Sequence, residues 1–279
     1  MAFKTITTVV TDMDLHRSVL DAAADVAAHE KGHLEVFCLG IDYTQPGFYY
    51  AGAGAMAMQS TLAEAEERAL SLETAVKEHL SKRDISWGAN ALAAQSAGLG
   101  PFLSQYMRFS DLVVLGQPYG SGRGQESEAI VESSLFDAGA PVMVMPDGVG
   151  FPKKINRIVV AWNESREALA AIHRAMPLLI AADIVNIAII DPPTHSSTRS
   201  DPGGALSQML ARHDVHVEIS VLAKTMPRVS DVIARHVQDE NADILVMGAY
   251  GHSRFRESIL GGATRNMLQM SKVPIFMAH

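Results

Sequence analysis

The feature that most constrains the fold is an internal echo. Asp111-Leu-Val-Val-Leu-Gly116 recurs as Asp243-Ile-Leu-Val-Met-Gly248, and Pro141-Val-Met-Val-Met145 recurs as Pro274-Ile-Phe-Met-Ala278. The interval from Gly116 to Pro141 is 25 residues and from Gly248 to Pro274 it is 26. A short apolar run closed by glycine reads as a buried strand. A helix-length interval and a second apolar run then complete a strand–helix–strand unit. Self-similarity at this separation implies two copies of one structural plan within 279 residues.

The rest of the chain fits that plan. Residues 5–10 are β-branched and apolar, suiting a buried strand. A helix over 15–30 places Leu15, Val19, Ala22 and Val26 on one face, and Gly32 is expected to end it. Strands are expected over 33–41, 87–94, 111–115 and 141–145, with helices over 61–81, 100–109 and 125–138. After a Gly/Pro-rich linker at 148–154 the pattern restarts. Strands are expected over 158–162, 184–190, 215–222, 244–247 and 274–278, with helices over 166–180, 205–213, 228–241 and 263–271. Alternating strands and helices favour a parallel sheet covered on both faces. The expected architecture is therefore α/β: two tandem doubly wound domains, 1–148 and 155–279, each with a five-stranded parallel sheet. The two fifth strands could pair with each other, giving an intrachain pseudo-dimer and removing two sheet edges. Residues 42–60, with Phe48-Tyr49-Tyr50 and a run of Ala, Gly and Met, read as an insertion: an irregular loop, an interface or a lid.

Composition narrows the function. The net charge of −8 argues against binding nucleic acid through phosphate neutralisation, but leaves a mononucleotide open. Cys38 is the only cysteine, which fits a reducing compartment. Neither a signal-like start nor a stretch of membrane-spanning length is present, so the expected location is the cytoplasm, with no membrane partner. There is no Gly-x-x-x-x-Gly-Lys-Ser/Thr, no nucleophile elbow and no His-Glu-x-x-His. His213 and His216 lack the companions a metal would need, so no metal site and no catalytic residue is assigned.

The segment after the strand at 244–247 carries the most chemistry. Gly248 and Gly251 bracket Ala249-Tyr250, and nine residues from His252 to Leu260 lead to Gly261 and Gly262. Glycines let backbone amides converge, and the helix starting at Ala263 and Thr264 adds orphan donors and a partial positive charge. The segment reads either as a phosphate cradle or as a plain strand-to-helix turn. His252 and Arg254 could donate to a phosphate or face solvent, and Tyr250 could stack on a base or fill the loop.

With this spacing the chain resembles a tandem universal stress protein. Nucleotide-binding members of that family carry glycine, two residues, glycine, nine residues, glycine, then Ser or Thr. Gly248, Gly251 and Gly261 match; Gly262 stands where the hydroxyl residue is expected, with Thr264 two residues on. The resemblance implies a domain of the adenine nucleotide alpha hydrolase-like type that binds ATP or a related adenine nucleotide, with or without magnesium. The phosphates would rest on the glycine loop, and the nucleotide-binding residues there would be Gly248, Tyr250, Gly251, His252, Arg254, Gly261, Gly262, Ala263 and Thr264. The base would lie near Ala161, Trp162 and Asn163. Asp12 and Asn163 match the family's aspartate at the end of the first strand. After Gly116 the first copy has three residues before Gly120, and Glu126 and Glu128 place negative charge beside any phosphate. The working site is therefore expected in the second copy. The implied role is a regulatory stress-response module, at most a slow ATPase, with a homo-oligomer beyond the pseudo-dimer left open. The alternatives are a nucleotide-free interaction scaffold and a slow ATPase or phosphotransferase on the same loop.

Overall fold

The structure, a computed structural model, describes residues 2–44, 53–192, 201–249 and 262–279, with 53–59 in backbone only. It divides into two compact units, Ala2–Ala140 and Pro141–His279.

In the first unit, β1 (Thr5–Val10), β2 (His33–Asp42), β3 (Ser86–Gln95) and β4 (Leu112–Gly116) pair in parallel in the order β3-β2-β1-β4. The connecting helices are α1 (Met13–Glu30), α2 (Ala53–Leu80) and α3 (Leu99–Met107). After β4 comes α4 (Gln125–Glu132), which runs on into a π-helical turn, Ser133–Asp137, so the expected helix over 125–138 changes pitch part-way. Alternation along β2 shows that both faces are covered. Gly40 faces α2, where a Cβ would lie 1.9 Å from the Ala65 carbonyl oxygen, while Phe37 packs on Tyr106 of α3 with ring centroids 5.3 Å apart. Residues of odd and even number point to opposite faces of a strand, so α2 and α3 lie on opposite sides of the sheet.

In the second unit, β6 (Arg157–Ala161), β7 (Ile184–Ile190), β8 (Val217–Leu222), β9 (Ile244–Gly248) and β10 (Ile275–Ala278) form a five-stranded parallel sheet in the order β10-β9-β6-β7-β8. Its helices are α5 (Arg166–Arg174), α6 (Met176–Ala181), α7 (Gly204–Ala211), α8 (Val229–Asp239) and α9 (Ala263–Met270). On β7, Ile187 and Ile189 face Gly203 at the start of α7, whereas Asn186 meets His236 of α8. This sheet too is covered on both sides. Its centre is apolar throughout: Val159, Val160, Leu245, Val246 and Phe276 are fully buried.

β5 (Val142–Met145) belongs by the sequence echo to the first copy, yet it packs in the second unit. It pairs antiparallel with β10 in the register Val142↔Met277, Met143↔Phe276 and Val144↔Ile275. The compact units therefore divide at 140/141 rather than at the linker. Phe151 within that linker and Ile155 just after it are buried.

Three local expectations change. The insertion placed at 42–60 is not irregular throughout: β2 runs to Asp42, and α2 begins at Ala53, in keeping with the helix propensity of an Ala/Met run. The aromatic residues Phe48-Tyr49-Tyr50 lie outside the described residues. The helix expected over 166–180 breaks at Ala175, because Pro177 has no N–H to continue the ladder and instead opens α6. Finally, Gly32 does not supply the left-handed end of α1. Lys31 does, with φ 49°, and Gly32 is needed because a Cβ there would lie 2.6 Å from both the Phe3 carbonyl oxygen and Ile6 Cδ1. Among the described residues no helix is long and apolar enough to cross a membrane.

Candidate functional site

In a parallel α/β sheet, ligands dock outside the carboxyl ends of the strands where the strand order reverses. In the second unit the chain runs from β6 outward to β7 and β8, then returns to β9 on the other side of β6. The reversal point lies between β6 and β9, whose last paired residues are Ala161 and Met247. The two segments singled out by sequence, Ala161-Trp162-Asn163 and the start of the glycine spacing at Gly248, leave the sheet at this reversal point.

Each flank is fixed by its own bonds. The Trp162 amide donates to the Ala188 carbonyl (3.0 Å), extending the β6–β7 ladder past the strand. Asn163 is exposed, and its Oδ1 accepts the Ser165 amide (3.2 Å), turning the chain through Glu164 at φ 60°. Ser165 caps α5, with its Oγ accepting the Ala168 amide (3.1 Å). Gly248 meets this first turn directly. A Cβ on Gly248 would lie 2.5 Å from the Ala168 nitrogen and 2.7 Å from the Glu167 carbonyl carbon. Both contacts are backbone, so glycine is required here to seat the start of α5 against the end of β9. This packing role was not legible in the glycine spacing.

Beyond Ala249 the candidates Tyr250, Gly251, His252, Arg254 and Gly261 lie outside the described residues. On the far side, Gly262 is the N-cap of α9 with φ −56° and ψ 160°, and it offers no side chain to the helix start. Ala263 is exposed, whereas Thr264 is buried at 3% exposure, set in the helix's inner face with Met267 and Leu268. A residue missed by sequence reasoning is His279, whose Nδ1 lies 2.9 Å from the Ala249 carbonyl oxygen. No motif marks it, because the contact exists only once β10 lies beside β9.

The corresponding edge of the first unit is built differently. Its reversal point lies between β1 and β4. Asp12 caps α1, with Oδ1 accepting the amides of Asp14 (2.8 Å) and Leu15 (3.0 Å). At the start of α4 the Glu126 carboxylate folds back and accepts the Gly124 amide (3.1 Å), so a carboxylate of the chain itself lies on that helix start. Tyr119 donates to Glu128 (2.7 Å). Partial desolvation, then the charge of Glu126 and a hydrogen bond to it, push the phenol of the exposed Tyr43 upward. Gly116 meets a side chain rather than backbone, its Cβ position lying 3.1 Å from Val19 Cγ2.

The two edges also correct an equivalence. Asp111 Oδ2 accepts the amides of Lys4 and Thr5 (2.8 and 2.9 Å), and Asp243 Oδ2 accepts those of Asn156 and Arg157 (2.6 and 3.0 Å). Counted from these anchors, Asn163 corresponds to Thr11 and not to Asp12. The match of Asp12 with Asn163 is thus off by one. Counted from the same anchored residues, Thr5 and Arg157, α1 starts one residue sooner than α5, a difference in turn length that composition conceals.

Comparison with known proteins places the chain among similar sequences and folds. The universal stress protein family profile matches residues 154–279. The universal stress protein Slr1230 of Synechocystis sp. is 23% identical over 172 residues, 59% of this chain and 56% of that protein, so the chain spans little more than half of this relative. The crystal structure of a universal stress protein from Archaeoglobus fulgidus covers 98% of this chain and 95% of its own, with a TM-score of 0.72 at 15% identity. The cytoplasmic domain of a prokaryotic cation chloride cotransporter covers 99% of this chain and 96% of its own, with a TM-score of 0.53 at 12% identity. At such identities the likeness is one of fold, and the same fold serves a different kind of protein.

Proposed function

We propose that the universal stress protein domain at residues 154–279 binds ATP or a related adenine nucleotide, and that the chain is a regulatory stress-response module with its working site in the second unit. The observation that carries this reading is the coincidence of a motif with a place. The spacing Gly248-x-x-Gly251-x9-Gly261 leaves the sheet at the reversal point between β6 and β9. There Gly248 holds the first turn of α5 against the strand end, and Gly262 opens α9 without a capping side chain. Two helix starts flanking one crevice favour negative charge between them. The base and ribose would lie over Ala161, Trp162 and Asn163, with Tyr250 stacking on the base, and the phosphates toward Gly248, Gly251, His252, Arg254, Gly261, Gly262 and Ala263. The buried Thr264 supports contacts from backbone rather than from its hydroxyl. The first unit is read as nucleotide-free, since Glu126 already lies on the start of α4.

Mass spectrometry of small molecules released from the purified chain, together with calorimetric titration with ATP, tests this reading. One adenine nucleotide per chain is expected. A chain that carries no nucleotide and whose Tm does not move with millimolar ATP would instead be an interaction scaffold. Phosphate release proportional to protein concentration and lost in Gly261→Asp would make it a slow ATPase.

A further inference from the structure

We infer that His279 is a positioning residue of the candidate nucleotide site: it fixes the peptide from which the chain departs toward the glycine spacing. The inference rests on the nucleotide reading above. β10 runs parallel to β9 to its end, with Ala278 opposite Gly248. The ladder then continues one residue further, the Ala249 amide donating to the Ala278 carbonyl (2.9 Å). Ala249 is fully buried, so its carbonyl has to find a partner within the protein. That partner is Nδ1 of His279 at 2.9 Å. A carbonyl oxygen only accepts, so Nδ1 carries the proton and the neutral ring is the Nδ1–H tautomer.

Both polar groups of the Ala249 backbone are thus tied to consecutive residues of one strand end. The preceding residue is held from the other side, since Gly248 abuts the backbone of Glu167 and Ala168. The departure point is clamped between the end of β10 and the first turn of α5. Donors that must converge on a phosphate work only if the chain supplying them starts from a fixed position, which is how supporting hydrogen bonds act on binding groups. The imidazole itself is exposed at the carboxyl edge and needs no contact with the ligand to play this part.

The test uses the whole 279-residue chain with ATP as probe and compares His279→Leu, which removes the donor, with His279→Asn, whose amide N–H can occupy the place of Nδ1–H. ATP affinity is expected to fall roughly 5- to 20-fold in His279→Leu, as for loss of one hydrogen bond to a buried carbonyl. In His279→Asn it is expected to return to within about twofold of the parent, because the donor is restored. A purely structural role for the ring would leave the two variants equally weak. Equal weakness, or unchanged affinity in His279→Leu, overturns the inference while leaving the nucleotide reading intact. A parent chain that takes up no ATP overturns both. Nitrogen NMR of the imidazole adds a readout independent of ligand: the Nδ1–H tautomer is expected, and the Nε2–H form that free imidazoles favour would contradict the contact.

Discussion

The carboxyl edges of β4 and β9 begin from the same apolar strand and the same terminal glycine, but what that glycine touches differs. Gly116 leans on the side chain of Val19, which can move, whereas Gly248 abuts the backbone of α5, which cannot. The helix starts differ in the same sense. Around the first edge the chain satisfies itself: Asp12 accepts two amides of α1, and Glu126 folds onto Gly124 at the start of α4. Around the second, Ser165 accepts one amide of α5, and α9 opens on a glycine. A carboxylate at a helix start does for the isolated chain what a phosphate would do for the bound one, so the two solutions exclude each other at a given edge.

The strongest way to break this comparison is to place a carboxylate in each loop. Gly261→Asp should weaken ATP binding by roughly 100-fold or more through repulsion of phosphate at close range, while Gln117→Asp in the first unit should leave the Kd unchanged. Calorimetric titration reads both, and equal losses would end the assignment of the site to the second unit. Next in size is the contrast between the glycines. Gly248→Ala must displace backbone and should cost about 1–3 kcal/mol in denaturant unfolding, whereas Gly116→Ala, which meets one methyl, should cost less than about 1 kcal/mol. Equal costs would show that α5 is not seated as described. Smaller still are the caps: Asp12→Ala and Ser165→Ala should each cost about 1 kcal/mol, with Asp12→Ala the larger because it releases two amides rather than one. Asp12→Ala should also leave nucleotide affinity untouched.

The least pronounced difference is in response to acid. In the second unit, His236 is buried and hydrogen-bonded through Nε2 to Asn186 (2.9 Å), whose amide reaches Ser220. Burial holds the imidazole below its ordinary value. The unfolded chain then takes up this proton more readily than the folded one. The stability contribution of a neutral His236 is complete above about pH 6.5 and is lost as pH falls through the depressed folded value. In the first unit, burial raises the Asp21 carboxyl, but the hydrogen bonds from Arg83 (2.8 Å) and His79 (2.9 Å) outweigh it and leave the carboxyl below its ordinary value. Its contribution is present above about pH 3.9 and is lost as pH falls through the lowered folded value. Hydrogen exchange followed against pH should therefore loosen the second unit before the first, and His236→Gln should remove that lead.

Legibility from sequence followed the range of each interaction. Strand and helix identities were readable because periodicity is local: β1, β7 and β9 declare themselves as apolar runs, and α1 by its Val19 and Val26 spacing. The break at Ala175 was there to be read in Pro177, yet the apolar stripe running through Leu179 hid it. The Asp12–Asn163 mismatch could not be read, since it depends on where Asp111 and Asp243 grip the strands. Nor could the buried position of Thr264, which depends on how α9 rolls onto the core.

By itself the sequence determined the alternation of strands and helices, the echo between the two copies and the spacing of the glycines after β9. All three follow from local chemistry: side-chain periodicity, turn residues and chain length. Only the tertiary structure decided that β5 pairs antiparallel with β10, that Gly248 is pressed against the backbone of α5, and that His279 holds the Ala249 carbonyl. Each of those contacts joins residues far apart in the chain. Their energies come from burial and hydrogen bonding across elements, which exist only after the sheet has chosen its order.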